Sequence, residues 1–124
     1  MASTVVIPES GEIKIPNFKV LGVRMDAVQI PDVLRIFDYW ITEHKRVHTV
    51  YQTGMHGVSE AVRFPELRKM LNDADLTNPD GMPMAWLGQL HGFKYMKRRA
   101  FGPEVMETVL RETGPKYKHY LYGN

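Results

Sequence analysis

The chain contains no cysteine among its 124 residues. That excludes disulfides, thiolate metal centres and a cysteine nucleophile, and it fits a reducing compartment. No apolar run approaches the roughly 20 residues needed to span a bilayer. The N-terminus, MASTVVIPESGEIKIP, lacks the basic and then apolar pattern of a secretory signal, so the expected location is cytoplasmic. Net charge is only +2, too little to argue for nucleic acid, and no recognition motif of that class is present. Repeats and low-complexity tracts are absent as well. With 44% apolar and 24% charged residues, the composition is that of one globular domain of modest core.

What charge there is clusters. Lys94, Lys97, Arg98 and Arg99 crowd into FKYMKRR. Such a cluster favours phosphates, a diphosphate or acidic lipid head groups; a solvated basic face is the competing reading.

Periodicity predicts the elements. FKVLGVRMDAV (18–28) alternates as a strand or short hairpin. A helix over 32–44 opens behind Pro31 with an apolar face of Val33, Ile36, Phe37, Trp40 and Ile41. HTVYQT (48–53) reads as a buried strand. GMHG follows, then helices over VSEAVRF and 64–74, a short strand DLTN, a helix over MPMAWLGQL and a helix over 102–114. The last has Val105, Met106, Val109 and Leu110 on its apolar face and stops at Gly114. KHYLYGN (118–124) reads as a final strand. Residues 1–17 read as a loose leader, and the eight methionines, Trp40 and Trp86 as core. The alternation predicts an α/β, Rossmann-like fold with a largely parallel sheet flanked by helices. Because the chain ends on a strand running into Gly-Asn, a truncated fold is expected, with 18–124 the N-terminal part of a larger domain.

In such sheets ligands sit beyond the carboxyl ends of the strands. Two loops are expected there, TGMHG and NPDGMP. Pro79 and Gly81 hold Asp80 on a short, stiff corner, which suits a general base. Pro-Asp-Gly is also ordinary turn chemistry, and spacing alone favours the turn. On the other loop, Thr53 or Gln52 can bind a sugar hydroxyl, and His56 can bind phosphate or shuttle a proton; a capping or half-buried histidine is the plainer reading. Arg98 and Arg99, just ahead of a helix, can clamp a diphosphate. No histidine spacing suggests a metal site, and none is expected.

The run TGMHGVSEAVRFPELRKMLNDADLTNPDGMPMAWLGQLHG, followed by RAFGPEVM, closely resembles the WecG/TagA/CpsF glycosyltransferase family. The resemblance runs from FKVLGVRMDAV to Asn124, and its most specific parts are ADLTNPDGMPMAW and RAFGPEVM in that order. It implies inverting transfer of a sugar, such as N-acetylmannosamine, from its UDP form to N-acetylglucosaminyl-diphospho-undecaprenol or a similar lipid-linked acceptor of polysaccharide synthesis. It implies Asp80 as the base, Arg99 (with Arg98 beside it) as a phosphate binder, no metal or other cofactor, and peripheral association with the inner face of the cell membrane. Two departures stand out. Glu104 replaces the family's frequent Asp, and Gln52-Thr53-Gly54-Met55 lacks the Asn of the usual Thr-x-Asn pattern, which bears on substrate choice. A non-catalytic module that binds lipid diphosphate or a protein is the alternative expectation.

Overall fold

A computed structural model describes residues 5–44 and 46–123. Its elements are β1 (Asn17–Val20), β2 (Val23–Asp26), α1 (Ile30–Thr42), β3 (Val50–Thr53), α2 (Met55–Arg63), α3 (Pro65–Asp73), β4 (Leu76–Pro79), α4 (Met82–Leu90) and α5 (Gly102–Thr113).

The centre is the parallel pair β3–β4, in register from Val50↔Leu76 to Thr53↔Pro79. Successive side chains of a strand point to opposite faces, and the two faces here bury different cores. Val50 and Leu76 pack with Val33, Ile36 and Trp40 of α1 and Val105 of α5. Tyr51 packs with Val58 and Ala61 of α2, Leu71 of α3, Met84 of α4 and the hairpin residues Phe18 and Met25. The result is an α/β arrangement with helices on both faces of a small parallel sheet, the Rossmann-like class expected. The parallel sheet itself has two strands among the described residues.

The stretch 18–28 forms the β1–β2 antiparallel hairpin. Its turn residues Leu21 and Gly22 both have positive φ, 51° and 84°, as a two-residue hairpin turn requires. β2 lies beside β4 without a strand ladder. A side chain replaces the ladder: Asp26 Oδ2 accepts the Thr77 backbone N–H at 2.7 Å. Arg24 completes the join, pairing with Asp26 at 3.3 Å and donating to the carbonyls of Asn72 and Ala74 at 2.7 and 2.6 Å. Burial pushes the Asp26 carboxyl up to about 6, against the lowering effects of the Thr77 N–H and Arg24.

Four expectations need correction. Residues 118–123 form no strand, and Asn124 lies outside the described residues. Tyr120, Leu121 and Tyr122 are all exposed. The segment is anchored one step earlier, where Lys116 and Tyr117 donate to Asp38 of α1 at 2.8 and 2.5 Å. With no strand formed there, β3 is an edge strand, with Gln52 exposed rather than buried. Trp86 is 57% exposed, because α4 turns Met84, Ala85 and Gly88 inward instead. Nor are the methionines uniformly core: Met25, Met84 and Met96 are fully buried, whereas Met55, Met70 and Met106 are exposed. Ahead of β1, Val5 is buried, Val6 bridges Lys14, and Tyr39 donates to the Gly11 carbonyl at 2.6 Å.

Candidate active site

Three helices begin at one corner, at the carboxyl ends of β3 and β4. α2 starts behind Gly54, α4 behind Gly81, and α5 behind Phe101 with Gly102 as its first residue. None of the three starts has a side-chain cap. Their first-turn N–H groups therefore remain available as donors, and the positive ends of three helix dipoles gather there.

Asp80 sits at the meeting point. Its N–H donates to the Thr53 carbonyl at 3.0 Å, which extends the β3–β4 ladder by one step and fixes the residue's backbone. Gly81 then turns the chain at φ 95°, a value side chains other than hydrogen rarely tolerate. A Cβ on Gly54 would lie 2.7 Å from the Asp80 carbonyl oxygen, so only glycine permits this approach of β3 to β4. From the third side, the Cβ position of Gly102 lies 3.6 Å from Asp80 Oδ2. The Asp80 carboxylate is half-buried.

A second pair of side chains holds the α5 entry against the sheet. Asn78 Nδ2 donates to Gln52 Oε1, and Gln52 Nε2 donates to the Ala100 carbonyl at 2.8 Å. The Ala100 N–H returns a bond to the Pro79 carbonyl at 3.2 Å. Both ends of the Gln52 amide thus have a partner within the protein. Asn78 Oδ1 is buried and has no partner.

The structure brings Asp80, Thr53 and Gln52 together. Thr53 is buried, at the end of β3. His56 lies exposed in the first turn of α2, neither capping a helix nor half-buried. Arg98 and Arg99 line a neighbouring cleft of about 410 Å³ with Gln29, Ile30, Pro31, Glu104 and Thr108. Gln29 clasps the Arg98 backbone in both directions, accepting its N–H at 3.1 Å and donating to its carbonyl at 2.7 Å. The Arg99 guanidinium stacks over Phe101, 4.3 Å from the ring centroid. No group of three or more metal-ligating side chains occurs among the described residues.

Sequence reasoning missed Asn78, Gly102 and Gln29. Asn78 adjoins the Pro-Asp-Gly corner, and that adjacency was its one local signal. The other two act through contacts across 22 and more residues, which local pattern does not report.

A rigid carboxylate ringed by three uncapped helix starts lies at the carboxyl edge of the parallel sheet, where open α/β sheets bind their ligands. Residues 18–124 match the glycosyl transferase WecG/TagA/CpsF family, and the chain belongs to that family. No curated protein matches the chain.

Proposed function

We propose that the chain takes part in inverting sugar transfer with Asp80 as general base. The acceptor hydroxyl oxygen attacks the anomeric carbon of a UDP-sugar as its proton passes to Asp80. The bond from the anomeric carbon to the UDP oxygen breaks, and UDP leaves with the electron pair. The observation that carries this reading is the convergence of three uncapped helix starts on Asp80. Helix N-termini favour phosphate, so the donor diphosphate fits beside the carboxylate that activates the acceptor. Arg99 and Arg98, in the adjoining cleft, supply phosphate charge. Thr53 and His56 flank the donor side, at the end of β3 and the start of α2.

The finer reading assigns N-acetylmannosamine as the sugar and an undecaprenyl-diphosphate-linked N-acetylglucosamine as the acceptor. That acceptor is membrane-borne, so the chain works as a peripheral protein at the inner face of the cell membrane. No helix among the described residues is long and apolar enough to cross one.

The test is UDP release from UDP-N-acetylmannosamine with a diphospholipid-linked N-acetylglucosamine acceptor. Asp80→Asn keeps the corner's shape and removes the base. General-base catalysis is worth roughly 10²–10⁴-fold, so a loss in that range is expected. Near-normal turnover in the variant sinks the assignment. Binding of the diphospholipid by the unaltered chain without turnover favours the non-catalytic module instead.

A further inference from the structure

α4 leads away from Asp80 with two unlike faces. Met84, Ala85 and Gly88 are buried. A Cβ on Gly88 would come within 2.3 Å of Met96 Sδ, so that face is pressed onto the core. Pro83, Trp86 and Leu90 face outward, Trp86 57% and Leu90 81% exposed. At 100° per residue these three fall within about 60° of arc, opposite the buried set. Most of the other exposed apolar side chains are scattered, which needs no explanation. A Pro-Trp-Leu stripe on a helix that is apolar on both faces does.

The residues that follow suggest what covers it. No Asp or Glu occurs between Asp80 and Glu104, whereas Lys94, Lys97, Arg98 and Arg99 all lie in that interval. With four cations and no carboxylate, this stretch carries more net positive charge than the +2 of the whole chain. All four side chains are exposed. None of them pairs with a carboxylate among the described residues. Lys94 Nζ reaches back to the Gln89 carbonyl at 3.3 Å, which keeps one of the charges at the end of α4.

We infer that the outer face of α4 and the basic loop behind it form a docking surface for an anionic membrane. A protein partner would also cover Trp86 and Leu90, but four unpaired cations directly after an apolar stripe match a lipid surface better. Its acyl boundary takes the Trp and Leu side chains, and its head groups take the Lys94 and Lys97 charges. Tryptophan is at home at that boundary, with an apolar ring and one polar N–H. Docked in this way, the chain holds the start of α4, and Asp80 two residues before it, close to the head-group layer. The surface deepens the proposed reaction by presenting the base to a membrane-borne acceptor. Its test does not depend on that reaction, because the vesicles carry no sugar-linked lipid.

The experiment is co-sedimentation of the full chain with vesicles of phosphatidylcholine alone and of phosphatidylcholine with phosphatidylglycerol, at low and high salt. Intrinsic fluorescence is read alongside. Trp40 is buried, so a blue shift on binding reports Trp86. Binding that needs phosphatidylglycerol, weakens with salt and shifts the emission is expected. Lys94→Gln with Lys97→Gln weakens it by about tenfold or more, from the attraction of each basic residue to an anionic surface. Trp86→Ser with Leu90→Ser abolishes the shift. If the serine variant misfolds by circular dichroism, the lysine variant alone decides, since its side chains are exposed. Equal binding to both vesicle types, no binding, or a lysine variant that binds unchanged overturns the inference. So does a self-associating chain that becomes monomeric on the serine substitutions without binding vesicles, which assigns the face to a second copy.

Discussion

Thr77 and Asn78 are neighbours on β4, fully buried, and they face opposite sides of the sheet. On the Thr77 side the polar groups join in a network, with Arg24 Nε beside Asp26 at 3.3 Å but buried without a hydrogen-bond partner. The Thr77 N–H reaches Asp26, its hydroxyl donates to the Leu71 carbonyl at 3.2 Å, and the hydroxyl oxygen accepts from Arg24 Nη2 at 3.3 Å. On the Asn78 side one amide N–H meets Gln52, and the carbonyl oxygen meets nothing. Burying an unpaired carbonyl costs free energy. The first cluster ties the hairpin to the sheet. The second steers the α5 entry beside Asp80.

The largest expected effect falls on the first cluster. Arg24→Ala leaves Asp26 buried without its cation and strips donors from the Asn72 and Ala74 carbonyls. Breaking a buried pair from one side costs about 3–5 kcal/mol, read as a lower urea midpoint. The molecules that remain folded should transfer sugar at the normal rate. If instead turnover falls while the midpoint holds, the two clusters are not separate in role.

Next in size is the pH dependence of that same join. The Asp26 carboxyl is raised from 3.8 to about 6, first by burial. A raised folded value means the folded state holds the proton more tightly than the unfolded one. The resulting stabilisation is complete below about pH 4 and is lost as pH rises through about 6. A shift of two units corresponds to about 3 kcal/mol. Asp38 acts in the opposite sense. The Lys116 and Tyr117 hydrogen bonds hold it below the usual carboxylate range, so its smaller contribution is lost as pH falls. Urea midpoints measured from pH 4 to 7 should show Asp26→Asn flattening the slope between pH 4 and 6. An unchanged slope in that variant removes Asp26 as its source.

The contrast also explains what the sequence could show. Alternation in 18–28 and apolar spacing in 32–44 and 102–114 report burial along one element, and the hairpin, α1 and α5 form there. The Pro-Asp-Gly corner is likewise local. Asp26 and Thr77, by contrast, are 51 residues apart, and Gln52 and Ala100 are 48 apart. No periodicity carries such links. Residues 118–123 have strand propensity but pair with no strand, and a strand needs a partner as well as suitable residues. Trp86 was misjudged because α4 is apolar nearly all round, and a helix without a polar face does not say which side is inward. The family motif covered the loops at the carboxyl edge; the amide clasp that braces them became visible only in three dimensions.

The smallest effect on stability is expected at Asn78, and it tests the contrast most sharply. Asn78→Ala removes one bond to Gln52 but also removes the unpaired buried carbonyl. The two changes offset, leaving a loss of about 1 kcal/mol or less. Turnover should respond differently. Without Asn78 the Gln52 amide is no longer fixed, its bond to the Ala100 carbonyl loosens, and Gly102 drifts from Asp80. Misplacement by about 1 Å costs on the order of 10²-fold in rate, so UDP release should fall by at least tenfold while the urea midpoint barely moves. Gln52→Ala, acting through the same clasp, should match it, and the double variant should be little worse than either single one. Additive losses would mean that Asn78 and Gln52 work separately, and a variant that unfolds as readily as Arg24→Ala would make both sides of β4 structural.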